Sequence, residues 1–421
     1  MKPLVCNGIR MIGGRQMASF SRYCTVVAFA IVPALAVEVP AGTELQVRLK
    51  SKAGSKISQP NDAVEAVVIA PVKVGDVYVI PAGAPIHGAV IQAQPSNASE
   101  RAILLLRFTG MDVSGAAVGL DARVATVDNA REKIGDQGQI EGILASETAT
   151  GKIDADVGRV SGKLGSFGNI LSSASKAVTQ RVDQEILYDA GVEMTLRLAA
   201  PVVLAAPGGP GPLANLKPAS DPSALGALAA RAPFQTVAQK PPKNSDLTNL
   251  MLIGEKQQVE QAFADAGWHP AASRNPLAKF ETAEAIVEDR GYDEAPVSVL
   301  LIEGRPPDLV FEKLNNTFAR RHHLRVWLRP DRYDGRPVWV VAATHDMGIS
   351  FSEANRTFIH RIDSSIDRER EKVAGDLIFS GHVASMLLVD RPGVPRNAQN
   401  ATGDNLVTDG KIAVLVLQVN Q

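Results

Sequence analysis

Apolar and polar residues alternate along Glu44-Leu45-Gln46-Val47-Arg48-Leu49, and the same period of two returns in parts of residues 64–69 and 86–91. Neighbouring side chains on a strand face opposite sides, so this pattern predicts half-buried strands, and the wealth of β-branched residues agrees. Pro40-Ala41-Gly42-Thr43 and Pro81-Ala82-Gly83-Ala84 each precede a strand. Proline fixes φ and glycine opens the left-handed region, so both read as turns that deliver the chain into a new strand. Far downstream, Asp189-Ala190-Gly191-Val192-Glu193-Met194-Thr195-Leu196-Arg197-Leu198 repeats the pattern of residues 40–49, which predicts a last strand returning to the same sheet. Residues 37–198 are therefore expected to form an all-β module, barrel or sandwich-like.

Inside that module, residues 128–184 are rich in Gly, Ser and Ala and are expected to leave it as a surface excursion, with a helix at 170–182. Lys152, Arg159, Lys163 and Lys176 interrupt the apolarity that membrane insertion requires. Any membrane association would run through this excursion or through an uncleaved N-terminus. Residues 199–244 then carry nine prolines with Gly208, Gly209 and Gly211, a composition that predicts a semi-extended linker without a core. Beyond it, residues 245–421 mix periods. A short strand at 249–253 precedes a helix at 255–266 that sets Val259, Ala262, Phe263 and Ala266 on one face and is capped by Gly267. Strands follow at 297–302, 324–328, 338–343 and 412–419, with a helix over 364–379 behind Asp363 as N-cap and ended by Gly381. The order predicts an α+β domain with a mostly antiparallel sheet.

Composition narrows the class. With 45% apolar and 21% charged residues in 421, the chain is not disordered, collagenous or a polytopic membrane protein. Its 44 basic residues against 45 acidic leave no excess to attract nucleic acid, and no nucleic-acid partner is expected. Lys2, Arg10, Arg15 and Arg22 form a basic leader without acids, residues 24–32 are apolar, and Ala34-Leu35-Ala36 offers a cleavage site. Residues 1–36 thus read as a secretory signal peptide, and the protein is expected to be exported, to the periplasm or in association with the outer membrane. Cleavage would remove both cysteines, Cys6 and Cys24, and with them any disulfide, thiolate metal site or cysteine nucleophile.

Two family resemblances add to this reading. The order Val39-Pro40-Ala41-Gly42-Thr43, Asn61-Asp62, Val79-Ile80-Pro81-Ala82-Gly83-Ala84 resembles the barrel domain of the outer-membrane scaffold subunit of conjugation and type IV secretion machines. In the second domain, Asp246-Leu247-Thr248-Asn249-Leu250, Ala266-Gly267-Trp268-His269-Pro270, Gly304-Arg305-Pro306-Pro307-Asp308-Leu309, Arg321-His322-His323-Leu324-Arg325-Val326-Trp327, Pro337-Val338-Trp339-Val340, Ala343-Thr344-His345-Asp346-Met347-Gly348-Ile349, His360-Arg361-Ile362-Asp363 and Thr408-Asp409-Gly410-Lys411 follow the LssY C-terminal domain family in order. That resemblance implies an association with secretion but no agreed activity for the domain. Longer members of the family join it to a membrane-embedded phosphatase-like region. Ser380-Gly381-His382 matches a fragment of the phosphatase signature without its preceding proline, and carries no functional reading.

Five of the seven histidines fall between 322 and 382, which raises a site hypothesis because histidine is the commonest metal ligand and general base near neutral pH. Pairing residues 324–329 with 338–344 through a turn at 331–335 is expected to set Trp327 beside Trp339 and His323 opposite Ala343. His323, Arg325, Trp327, His345, Asp346, His360 and Asp363 would then share one surface, while His322 would face the core with Leu324, Val326 and Leu328. The catalytic candidates are His323, Arg325, His345 and Asp346. Binding candidates are Trp327, Trp339 and Arg325, and metal candidates are His323, His345, Asp346, His360 and Asp363. No cofactor is expected, with a divalent metal as the alternative. A structural role weighs against all of these: Arg325 pairing with Asp346 or Asp363, Trp327 stacking on Trp339, and histidines satisfying strand ends. The basic run Arg320-Arg321-His322-His323 reads as a solvated loop. The expected function is an exported cell-envelope protein acting as a non-catalytic binding or assembly module tied to secretion or envelope maintenance, with envelope proteins as partners. The alternative is a hydrolase using His323, His345 and Asp346.

Overall fold

Six strands of the first region close on themselves: β1 (Glu44–Leu49), β2 (Ala63–Val68), β3 (Pro85–Gln94), β4 (Ile103–Val113), β5 (Ala116–Val127) and β6 (Glu193–Leu198). Each pairs antiparallel with the next, and β6 pairs back onto β1, so the sheet is a barrel without a free edge. Leu45, Val47 and Leu49 are fully buried and alternate with more accessible neighbours, the period read in the sequence. The late echo of the first strand lies beside it, with Leu196 opposite Leu45. The three matching turns pass through Gly42, Gly83 and Gly191, at φ of 83°, 94° and 102°, where a side chain would be strained.

The computed structural model describes residues 36–97, 99–144, 184–239, 242–271, 300–313, 321–352 and 357–419, all within one compact unit, Ala36–Gln421. The expected signal peptide and the expected helix at 170–182 lie outside the described residues. No helix among the described residues is long and apolar enough to cross a membrane.

The stretch expected as a linker departs from that reading. Residues Val202–Leu204 pair with Val37–Val39. A helix, α1 (Pro222–Arg231), starts behind Asp221, whose side chain accepts a hydrogen bond from the Ala224 amide. Proline at the first helical position loses no hydrogen bond and has φ preset, so Pro222 begins a helix where composition alone suggests a break. Leu225, Leu228 and Ala229 of α1 are buried against Trp327, Val340 and Val414.

That surface belongs to the second sheet, built from β7 (Leu250–Ile253), β8 (Trp268–Pro270), β9 (Leu309–Lys313), β10 (Arg321–Tyr333), β11 (Arg336–Ser352), β12 (Thr357–Ile362), β13 (Val383–Asp390) and β14 (Lys411–Leu417). Its order is β8-β9-β10-β11-β7-β14-β13, with β12 on the far end of β11; the pairings are antiparallel except β7 with β14. Helices α2 (Lys256–Asp265) and α3 (Ile366–Phe379) cover the face opposite α1, where Phe263, Val373 and Leu377 pack on Leu324, Val326 and Val341. Gly267 and Gly381 end these helices in the left-handed region, as their positions predict. The α3 entry is shifted: Asp363 accepts from the Ser365 amide, and Ser365 is the residue at the helix boundary. The result is an α+β sheet between two apolar layers, each distinct from the barrel interior.

Candidate functional site

The β10–β11 hairpin decides which candidate residues meet. Its register sets His322 opposite His345, His323 opposite Thr344, Trp327 opposite Val340 and Leu328 opposite Trp339. This is one residue away from the expected pairing, and on a strand a slip of one moves a side chain to the other face. The two tryptophans therefore do not stack. Trp327 lies in the layer under α1 and donates to the Arg305 carbonyl, whereas Trp339 lies under α2 and α3 and donates to the Gly254 carbonyl. His323 and His345 also separate, one to each face. The solvated loop expected at Arg321-His322-His323 is instead the start of β10, with both histidines buried. His360 sits on β12 opposite Ile349, and nothing is described of its side chain.

On the α1 face, His323, Arg325 and Asp346 form an enclosed group. Arg325 pairs with Asp246 at 3.2 Å, rather than with Asp346 or Asp363. Burial pushes the Asp246 carboxyl up, with Arg325 opposing the shift. The His323 Nε2 lies 2.9 Å from the Thr344 hydroxyl and Nδ1 lies 3.8 Å from Asp346. Thr344, His323 and Asp346 are 1%, 4% and 1% exposed.

On the other face, His322 meets the barrel. Its Nδ1 lies 2.8 Å from Glu369 of α3, and its Nε2 lies 3.1 Å from both oxygens of Asp128, the residue that follows β5. His345 stacks on it, ring centroids 3.8 Å apart and planes within 16°. The His345 Nε2 donates to the Asn129 side-chain carbonyl at 2.9 Å. Asn129 holds a left-handed φ of 56°, which turns the chain so that both Asp128 and Asn129 face the hairpin.

A second ionic group lies beside the first. Glu193 of β6 pairs with Arg48 of β1 at 2.7 Å, with Lys313 of β9 at 3.0 Å, and with Lys372 of α3. Asp376, one turn on from Lys372, takes Lys313 at 2.7 Å, Arg48 at 3.3 Å and the Trp268 indole N–H at 3.0 Å. Barrel and α+β region thus meet through charged groups paired across the seam, where an unpaired charge would be costly.

These pairs set the protonation states. Burial opposes the charge on His322, but the Asp128 and Glu369 carboxylates outweigh it and raise its pKa to about 10. Burial likewise opposes ionisation of Asp128, Glu369 and Glu193, yet the cations beside each hold all three below their ordinary values. His345 goes the other way: burial, then the charge on His322, press its pKa to about 4. At neutral pH a protonated imidazole therefore lies between two carboxylates and under a neutral one.

A cleft of about 680 Å³ opens at this seam, lined from the barrel by Gln46, Asp128 and Thr195 and from the α+β region by His345, Arg368 and Lys372. Asp363 also lines it, so His345 and Asp363 are the sequence candidates brought there. Asp128, His322 and His345 offer ligand atoms that all lie within 4.8 Å of one another.

Sequence reasoning missed Arg48, Asp128, Glu193, His322, Glu369 and Lys372. In an alternating strand Arg48 and Glu193 read as outward-facing, which they are; what the pattern omits is the protein surface that covers them. One signal was available, because Glu369, Lys372 and Asp376 recur at i, i+3 and i+7 and so line one face of α3.

Residues 232–412 match the family model described as LssY C-terminus. Among solved structures, a similar chain is ComB10 of the Com type IV secretion system of Helicobacter pylori, 11% identical, covering 39% of this chain and 89% of that one at a TM-score of 0.21. No curated protein matches the chain.

Proposed function

We propose that this is an exported cell-envelope protein that works as a non-catalytic binding module, its barrel and α+β region acting as one body around the cleft they share. The export half of the reading rests on the basic and apolar leader before residue 37. The binding half rests on one observation: the cleft is lined by both regions, and the charged groups at its base are already committed to fixed partners. A catalytic acid or base needs a group free to exchange a proton with substrate. His322 has a carboxylate on each ring nitrogen, and those carboxylates are engaged by it.

The hydrolase reading has one observation in its favour, the succession Thr344, His323, Asp346, in which a hydroxyl meets an imidazole with a carboxylate beyond it. All three are enclosed, and 3.8 Å between His323 and Asp346 exceeds hydrogen-bond reach. That geometry suits a structural group better than a reacting one.

Both halves can be tested on the full chain. A C-terminal alkaline phosphatase fusion should be active, and should lose activity when Arg10, Arg15 and Arg22 become Glu. Purified protein offered ester, phosphomonoester and amide substrates should give no turnover above background. Small ligands that raise its melting temperature should lose that effect in Gln46→Trp, which fills the cleft. Turnover abolished by His323→Ala would replace the binding reading with the hydrolase.

A further inference from the structure

We propose that Asp128, His322 and His345 bind a divalent transition cation of the zinc type, which ties the barrel to the β10–β11 hairpin. The inference deepens the reading of the cleft as a ligand site and rests on it. Two imidazoles and a carboxylate form a donor set that suits a borderline metal, and their ligand atoms are already within 4.8 Å of one another. Glu369 stands where a supporting carboxylate belongs: it holds His322 Nδ1 at 2.8 Å, which fixes the ring and aims Nε2 at Asp128.

Two further observations point to a missing positive charge. Glu369 is 4% exposed, lines the cleft, and its second oxygen, Oε1, has no hydrogen-bond partner among the described residues. A buried carboxylate oxygen left so is rare unless something else neutralises it. Six carboxylate side chains line the cleft against three cationic ones, His322, Arg368 and Lys372, and even with Arg48 and Lys313, which pair with Glu193 and Asp376 from outside the lining, the carboxylates outnumber the cations by one. An added cation lowers the cost of that imbalance.

Binding exchanges bonds without redox chemistry. The proton that His322 Nε2 shares with Asp128 leaves to solvent, and Nε2 and an Asp128 oxygen coordinate the ion in its place. His345 turns out of the near-parallel stack so that its lone pair reaches the same point, giving up its hydrogen bond to Asn129. A fourth position stays open to water from the cleft, as three protein ligands allow.

The test is zinc titration of chelator-treated full-length protein by calorimetry, with metal content measured after dialysis. The expected result is one equivalent per chain, weakened about 10- to 100-fold in His345→Gln and in Asp128→Asn. His345→Gln leaves the Asp128–His322–Glu369 pairing in place and gives up the stack and the bond to Asn129, so its melting temperature in chelator should stay within about 4 °C of the parent, which separates loss of the site from loss of the fold. Glu303→Gln, at an exposed carboxylate outside the cleft, should bind as the parent does. Zinc content well below one equivalent, or stoichiometric zinc indifferent to His345→Gln, overturns the inference. If ligand shifts that Gln46→Trp removes persist while zinc fails, the binding reading stands without the metal; if both fail, that reading falls as well.

Discussion

On one face of the β10–β11 hairpin, His322 and His345 meet Asp128 and Asn129 of the barrel; on the other, His323, Arg325 and Asp346 meet Thr344 and Asp246 of their own region. The residue types are nearly the same and the positions differ by one. The difference shows that parity along a strand, more than the local cluster of histidines, decides which of them can reach a second region and a cleft. The face toward the barrel joins two regions with distinct apolar interiors, while the other closes over a layer that α1 already seals.

The largest effect should come from removing the centre of the seam. Asp376→Ala removes the acceptor of the Trp268 indole and one of the two carboxylates that Lys313 and Arg48 share, Glu193 being the other, and should cost about 3–5 kcal/mol in urea unfolding. Next comes the direct contrast between faces. His322→Gln strips the counter-charge from two carboxylates and should cost about 2–3 kcal/mol, against about 1 kcal/mol for His323→Gln, which loses its hydrogen bond with the Thr344 hydroxyl. Equal losses would mean that the two faces are equivalent after all.

The pH dependence sharpens the same contrast. The metal-free protein gains the full His322 contribution below its ordinary value of 6.5 and loses it as pH rises toward about 10. His345, pressed to about 4, works in reverse: its neutral form is favoured above 6.5, and stability falls as pH drops from there toward 4. Asp128, Glu369 and Glu193, held below their ordinary values, add to the acid loss as they take up protons. Stability should therefore peak near pH 6–7 and decline on the alkaline side by at most about 1.4 kcal/mol per pH unit. His322→Gln should flatten that alkaline limb. Smallest of all, Arg231→Ala breaks an exposed pair with Asp331 and should change stability by less than about 1 kcal/mol.

The barrel was legible because its strands alternate cleanly: Leu45, Val47 and Leu49 point inward, and the repeated Pro-Ala-Gly turns announce where strands begin. The α+β class, helices α2 and α3 and the family match were legible for the same local reasons. Helix α1 was hidden by its prolines, since composition does not say whether a proline starts a helix or interrupts one. The seam was hidden for a different reason. Arg48 and Glu193 look like ordinary outward residues of a half-buried strand, and no local pattern reports that Lys313, Lys372 and Asp376, from 120 or more residues away in sequence, will cover them. The hairpin register failed because a turn at 331–335 centres on residue 333, whereas the strands turn after Tyr333, with Tyr333 opposite Arg336, and the pairing then slips by two between Leu328 and Arg332; the net result is a register one residue out.

The central claim is that the barrel and the α+β region are held as one body through the charged seam, and a double-mutant cycle across it reads that directly. Asp128→Asn, His322→Gln and the pair, compared by urea unfolding of the metal-free full chain at pH 7, should show a coupling of about 1.5–3 kcal/mol. Additivity of the two substitutions to within about 0.5 kcal/mol would contradict it.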